Sequence, residues 1–416
     1  MDGAGCRPKC PRAHPEGQVT TLFHPRPDIL HISGDFPDPI NPSKTPVIRT
    51  LLEMTDDTFA HRVISLNRKS PGPVALSATL LGRSPLSRIV PFERGMAAEY
   101  LAPPMGLLHK TLLHRVADAL VERLAEGPRP ALIVGHKLSI EGIVARRMAR
   151  RLDIPFAISI QGNTDTRIVD ARPDLRGELR RVFHEASVAF PFAPWALRRI
   201  EARLGRRRGL TTMLPCPTDI DEPVAPAMDG NQLVSVFHLR NHGLKNLRGL
   251  ALAMRELAST DPDIRLSIIG GGSEEDFGTC RAILGDLPNV ELAGAMDRRQ
   301  LREALGGAAG FVLPSLRESF GLVFIEALFC GLPVVYPTGR AVDGYFDGEP
   351  FAIGVDPRQP GRIAEGMRTL VREQAPLKRA LARWQQDGRA RQFTRPEIAA
   401  SFAAGLTAAA EAGTRP

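Results

Sequence analysis

From Asp28 onward, short, mostly apolar strand-like runs alternate with stretches in which apolar side chains return every three or four residues. Ile29–Ile32, Val63–Leu66, Ala131–Val134, Phe156–Ile160 and Val188–Phe190 form one series, and Leu233–Leu239, Arg265–Ile269, Val290–Leu292, Gly310–Leu313 and Pro333–Tyr336 form a second. Such runs, alternating along the chain with helical stretches, predict strands of parallel sheets covered by helices on both faces. The periodic stretches between them, among them Leu107–Ala125 and Ser139–Leu152, predict covering helices. The fold class is therefore α/β, built on parallel sheets. Between the two series, Gly205–Gly230 combines an arginine run with Pro215, Pro217, Pro223 and Pro226 and shows no sustained period, which predicts a linker. The division expected is a disordered tail over 1–27, a doubly wound domain over 28–213, a linker over 214–230, a second doubly wound domain over 231–395, and a closing segment over 396–416. No short-period repeat is present.

Composition narrows this picture. A chain of 416 residues is too long for one ordinary core, and 43% hydrophobic with 24% charged residues excludes collagen-like, coiled-coil and wholly disordered classes. No apolar run is long enough to span a bilayer, and Met1–Pro27 lacks the apolar core of a signal peptide. Five scattered cysteines make no disulfide framework, which points to a reducing, cytoplasmic setting. Cys6, Cys10 and His14 lack a fourth ligand at standard spacing, so no metal site is read there. The net charge of +8 favours a partner carrying phosphates. Its local sources, Arg146, Arg147, Arg150 and Arg151, then Arg198, Arg199, Arg203 and Arg206 to Arg208, read first as solvated helix faces. With 6% aromatics and none interleaved in these runs, nucleic acid is not an expected partner.

In open α/β sheets ligands bind beyond the carboxyl ends of strands, so the residues after each run carry the candidate chemistry. The segment Gly310–Pro333 is the most informative. Glu326 sits in a helix otherwise made of Leu322, Val323, Phe324, Ile325, Ala327, Leu328 and Phe329, where a lone carboxylate is costly without donors. Glu318 precedes that helix, beside amides of Ser319, Phe320 and Gly321 that can hold an anion. Donors for a phosphate thus adjoin acceptors for hydroxyls, as a phosphorylated sugar ligand requires. The alternative is a capping carboxylate at 318 and a structural ion pair at 326. In Leu233–Leu247 a strand delivers Arg240 to its end and Lys245 to the start of the next helix. A cation there opposes the helix dipole unless an anion lies between the two charges. The alternative is two solvated charges.

Glu318 and Glu326, seven residues apart within S-L-R-E-S-F-G-L-V-F-I-E-A-L-F-C-G-L-P, resemble the E-x7-E signature of retaining nucleotide-sugar glycosyltransferases of the GT-B fold, the group 1 or family 4 type. The resemblance covers almost the whole chain and continues through Asn289–Gly294 and Leu301–Leu305. It implies two Rossmann-like domains facing across a cleft: an N-terminal acceptor domain, a C-terminal nucleotide-sugar domain, and a final helix near Pro396–Ala412 returning to the first domain. Thr394 as cap and Pro396 in the first turn support that helix. It also implies that Glu318 meets donor-sugar hydroxyls, Glu326 the ribose, and Arg240 with Lys245 the diphosphate, while Ser319, Phe320, Gly321 and Leu322 line the donor. Leu239 departs from the glycine common before that arginine. Ile268–Asp276 lacks full G-x-G-x-x-G spacing, and Glu274, Glu275 and Asp276 would repel pyrophosphate. Gly270 and Gly271 are then a tight turn against base or ribose, as in the family.

In the first domain, three strand ends offer Asp35, Lys44 and Thr45, then His136 and Lys137, then Gln161 and Asp165. His136 is by default a structural histidine, and Asp165 could equally cap a helix. The resembled enzymes place a histidine near the donor sugar at this strand, so His136 joins Glu318, Arg240 and Lys245 as a catalytic candidate. The family's first-loop glycine pair is replaced by Asn41–Thr45, and its frequent histidine before Gly162 is Gln161. Asp219-Ile-Asp221 and Asp261-Pro-Asp263 are not placed as metal-binding strand ends, and no metal or other cofactor is expected. The function expected is transfer of a hexosyl group from a UDP- or GDP-sugar to a glycan or lipid-linked acceptor, with retention, in surface polysaccharide assembly. An anionic membrane surface at the inner face of the plasma membrane is the further partner considered. The rivals are a sugar-nucleotide epimerase or hydrolase, and a non-catalytic scaffold.

Overall fold

The computed structural model describes residues 26–70, 84–103, 106, 108–125, 127–230 and 232–412. Cys6, Cys10, His14 and all of the expected tail except 26–27 lie outside the described residues. Two sheets organise the chain. The first contains β1 (Asp28–Ser33), β2 (Ala60–Lys69), β3 (Leu86–Phe92), β4 (Gly95–Leu101), β5 (Leu132–Gly135), β6 (Phe156–Ile160), β7 (Val188–Pro191) and β8 (Leu210–Thr211), in the order β3-β4-β2-β1-β5-β6-β7-β8. Every pairing is parallel except β3 with β4. The second contains β9 (Leu233–Val236), β10 (Leu266–Ile269), β11 (Val290–Gly294), β12 (Gly310–Val312), β13 (Val334–Pro337) and β14 (Ala352–Val355), all parallel, in the order β11-β10-β9-β12-β13-β14.

The apolar runs read from the sequence are inner strands of both sheets together with the edge strand β11. β1, β5, β6, β7, β10, β12 and β13 are almost wholly buried, as parallel strands covered by helices on both faces must be. The β3–β4 hairpin and β14 had no comparable signal. β3 carries Ser87, Arg88 and Pro91 and lies on an edge, where polar residues and proline are tolerated. Strand order reverses at β1/β5 in the first sheet and β9/β12 in the second, so each sheet has one crevice at its topological switch point.

The stretch read as a linker from Gly205 contains a short strand, β8, which extends the first sheet and corrects that reading. Beyond it the chain is anchored rather than loose. Val224 N donates to the Phe329 carbonyl at 2.7 Å, and the buried Lys378 amino group donates to the carbonyls of Ala227 and Ala308. The last helix, Arg395–Glu411, leaves the second domain and packs on β5, β6 and β7 through Ile398, Phe402, Leu406 and Ala409.

Gly405 permits that docking. A Cβ there would lie 2.3 Å from the ring of fully buried Phe190. Gly405→Leu is expected to destabilise the chain by about 1–3 kcal/mol, the usual cost of overpacking a rigid core. The expected reading is a lower urea midpoint, whereas an unchanged midpoint would mean that the helix contributes no stability where it docks.

Candidate active site in the interdomain cleft

The ends of β1, β5 and β6 face those of β9 and β12 across a cleft holding a cavity of about 950 Å³, lined by both domains. Contacts beside it join the walls. Trp195 Nε1 donates to the carbonyls of Ala341 (2.8 Å) and Ser319 (3.2 Å), Tyr345 hydroxyl to that of Phe192 (2.8 Å), and Asn163 Nδ2 to Ser319 Oγ (3.3 Å).

On the second domain's wall, β12 runs into a loop carrying Glu318 to Phe320, then into helix Leu322–Phe329. Gly321 is the N-cap with φ 76°, and a Cβ would meet the Phe324 ring at 2.7 Å, so glycine is required there. No side chain caps this helix, and Gly321, Leu322 and Val323 line the cavity, so the positive end of the helix opens on it. Glu318 does not act as the cap. Its carboxylate is ion-paired with Lys245, which precedes helix Leu247–Thr260 at the end of the β9 crossover. Lys245 does not open that helix as expected, because Asn246 takes the N-cap and accepts from Gly249 N. The two charged groups therefore stand together at the β9/β12 switch point. Glu326 lines the cavity one helical turn deeper, and burial raises its carboxyl above the usual range. Among the described residues it forms no ion pair. Asp219 pairs with Arg298 and Arg395, and Asp261 with Arg368.

Three expectations on this side are corrected. Arg240 is exposed and absent from the cavity wall, while its neighbours His238 and Asn241 line it. A turn of 3-10 helix over Leu239–Asn241 buries Leu239, and that inward apolar residue turns Arg240 outward, beside Asp276. Gly270 and Gly271 also stay off the wall. A Cβ at Gly270 would lie 1.8 Å from the Phe237 carbonyl, and Gly271 accepts from Leu239 N, so both serve the packing of β10 on β9.

On the first domain's wall, Asp35 follows β1 and Lys137 follows β5. Lys137 Nζ donates to Asp35 at 2.6 Å and reaches Glu141 at 3.3 Å. Glu141, unrecognised in the sequence, opens helix Glu141–Leu152. Its Oε1 accepts from Gly34 N at 2.7 Å and burial raises its pKa. Its position after a strand, in the first turn of a helix, is the signal that could have found it. Lys44 donates to Asp38 (2.7 Å) and Ser65 (2.9 Å). With Ser65 and Asn67 it outweighs burial and lowers Asp38 to about 2. Lys44, Thr45 and Gln161 line the cavity, with Asn67, Arg68 and Tyr100 from strands the sequence marked weakly or not at all.

His136 and Asp165 are corrected. Asp165 is fully buried, accepting from Ser139 N (2.9 Å), Ser139 Oγ (2.7 Å) and Gln161 N (3.1 Å), so it fastens two loops and lies off the cavity wall. His136 turns beneath the sheet. A line of hydrogen bonds runs from Ser159 Oγ to His136 (3.4 Å), His31 (2.9 Å), His61 (2.9 Å) and Thr55 (3.0 Å). Burial lowers all three imidazoles, His61 to about 4 and His136 to about 3. His136 is thus built into a buried polar line and lies off the cavity wall.

Comparison with known proteins agrees with the architecture. Residues 218–391 match the model of the family described as glycosyl transferases group 1. The D-inositol 3-phosphate glycosyltransferase of Segniliparus rotundus is 36% identical over 113 residues, 26% of this chain and 25% of the relative. The GDP-mannose-dependent monoacylated alpha-(1-6)-phosphatidylinositol monomannoside mannosyltransferase of Corynebacterium glutamicum is 26% identical over 186 residues, 40% of this chain and 48% of the relative. These matches thus span a quarter to a half of each relative's length. Sucrose-phosphate synthase from Thermosynechococcus elongatus superposes with a TM-score of 0.64 at 19% identity, covering 92% of this chain and 98% of that one. The fold is GT-B, and the matches support a glycosyltransferase family.

Proposed function

We propose that the chain is a retaining glycosyltransferase that moves a hexosyl group from a UDP- or GDP-sugar to a glycan or lipid-linked acceptor in surface glycan assembly. The observation that carries this reading is the Lys245–Glu318 pair set beside the uncapped N-terminus of helix Leu322–Phe329, inside the interdomain cleft. Lys245 offers a cation and the helix amides N–H donors for a leaving diphosphate, Glu318 an acceptor for sugar hydroxyls, and Glu326 an acceptor for the ribose. With Arg240 outside the cleft, the diphosphate is assigned to Lys245 and the helix terminus, without a metal. The acceptor hydroxyl then enters from the Asp35–Lys137 side and attacks on the leaving-group face, and the departing phosphate takes its proton. The relatives' names support both a sugar-nucleotide donor and a lipid-linked acceptor. The test is release of nucleoside diphosphate from a panel of sugar nucleotides, with and without a lipid and glycan extract. Acceptor-dependent release with a product of unchanged anomeric configuration is expected. Turnover without acceptor would favour the epimerase or hydrolase, and no turnover with any donor would favour the scaffold.

Peripheral membrane attachment belongs to the same proposal. No helix among the described residues is long and apolar enough to cross a membrane. The arginines read as a plain solvated face instead border a hollow of about 390 Å³, with Lys110, His114, Arg147, Arg150, Arg151 and Arg181 around Glu178. Arg146 is buried, bonded to Glu178 (3.2 Å) and Glu185 (2.7 Å). Arg150→Glu with Arg151→Glu is expected to lower cosedimentation with anionic vesicles by about tenfold or more, given about 1 kcal/mol per surface cation. Equal binding to anionic and zwitterionic vesicles would remove the membrane surface as a partner.

A further inference from the structure

The cleft continues past its first-domain wall. Behind Tyr100 it opens into a second cavity of about 370 Å³, and the two share Arg68, Tyr100, Ile140 and Thr164 as a throat. The walls beyond the throat are apolar apart from His109, Arg167 and Arg172. Leu112 and Leu113 come from helix His109–Leu124, Ile168 and Ala171 from helix Asn163–Ala171, and Leu175 from the turn that follows.

The charged groups of this pocket are all cationic. Arg68, Arg167 and Arg172 line it, and no carboxylate does among the described residues. Arg172 is compensated by Asp174, with bonds of 2.8 and 2.6 Å. Arg68 donates to the Pro103 carbonyl at 2.7 Å, which satisfies a donor but does not neutralise the charge. Arg167 is exposed and has no ion pair among the described residues. The His109 ring bonds to the Ser139 carbonyl at 3.2 Å. An apolar hollow with two uncompensated guanidiniums suits an anionic amphiphile. A purely hydroxylated glycan would wet the apolar wall and leave both cations without a partner.

Resting on the glycosyltransferase reading above, we propose that this pocket selects the acceptor: a sugar phosphate carried on a hydrocarbon chain, the chain in the pocket, the phosphate at Arg68 and Arg167, and the sugar projecting through the throat towards Glu318. The volume falls at the small end of ligand sites and holds a segment on the order of ten heavy atoms, at roughly 30 Å³ each. The donor half of the cleft is left unoccupied by this pose, so donor and acceptor can bind together.

The test is calorimetric titration of the full chain with hexyl, octyl and decyl phosphate below their micellar concentrations, with inorganic phosphate and a nucleoside diphosphate alongside. Affinity is expected to rise roughly fourfold per methylene, with no measurable binding of inorganic phosphate. Ala171→Trp, which fills the pocket from an exposed position, and Arg167→Glu are each expected to weaken decyl phosphate at least tenfold while nucleoside diphosphate binding stays unchanged. Equal affinity across the three chain lengths would overturn the proposal. So would undiminished decyl phosphate binding in both variants. Loss of nucleoside diphosphate binding in the wild type would instead sink the glycosyltransferase reading, leaving the alkyl series as a report on the pocket alone.

Discussion

Glu318→Ala is expected to reduce transfer by about 10²–10³-fold, the scale seen when one preorganised electrostatic partner of a transition state is removed. Glu318 and Lys245 are largely buried in the cleft wall, at 14% and 20% side-chain exposure, so breaking their ion pair is expected to cost about 1–3 kcal/mol, which lowers the melting temperature without unfolding the chain at assay temperature. Lys245→Met should weaken nucleoside diphosphate binding and transfer together, because its charge is assigned to the leaving group in ground and transition states alike. Both variants are to be assayed on protein shown to be folded by a cooperative urea transition above the assay condition. If Glu318→Ala kept full transfer, the donor-side assignment would be wrong. If it lost activity only by unfolding, the pair would be structural.

The second large effect concerns acid stability and comes from the histidine line that replaced His136 in the cleft. Thr55 donates to the Leu51 carbonyl at 3.1 Å, so its oxygen is left to accept from His61, and each ring in turn accepts from the next until Ser159 donates to His136. Three neutral rings satisfy this chain in one direction. A proton added to His31 or His61 sets two N–H groups head to head in a buried site, and one added to His136 sets an N–H against the hydroxyl that Ser159 donates. The sign follows: the folded state lowers these imidazoles below the value near 6.5 they hold unfolded, so the unfolded chain binds more protons as pH falls. Their stabilisation is complete above about pH 6.5 and is lost downward towards pH 4, with a slope approaching about 4 kcal/mol per pH unit for three groups. Buried Glu141 and Asp165, whose carboxyls burial raises, act in the opposite sense. Urea unfolding at pH 7.5, 6.5, 5.5 and 4.5 should show a steep fall below 6.5, flattened in His31→Gln. A profile flat to pH 5 would mean that the rings are protonated or solvated in the folded chain.

The parts of this molecule legible from the sequence are those where burial and period coincide. Apolar runs marked the central parallel strands because both their faces are covered, and the spacing of Glu318 and Glu326 marked the loop and helix that form one cleft wall. The edge hairpin β3–β4 escaped because its strands mix Arg88, Pro91 and Glu99 with few buried positions, which leaves little periodic signal. Direction was the other blind spot. A residue at a strand end can face the cleft or turn under the sheet, and spacing alone does not choose. Lys137 turned out to Asp35, while its neighbour His136 turned in to His31, where other imidazoles waited on strands distant in sequence. Arg240 was turned away by the burial of Leu239, and Asp165 was absorbed by amides whose need for an acceptor appears only once the loops are in place.

The claim on which the account turns is that the Lys245 and helix Leu322–Phe329 corner binds the diphosphate of a sugar nucleotide. Calorimetric titration of the wild type and Lys245→Met with UDP, GDP and ADP tests it most directly. The account expects one diphosphate to bind at a single site, its monophosphate to bind at least tenfold more weakly, and Lys245→Met to lose that distinction. Absence of heat with all three nucleotides on folded protein, or equal affinity for mono- and diphosphate, would contradict it.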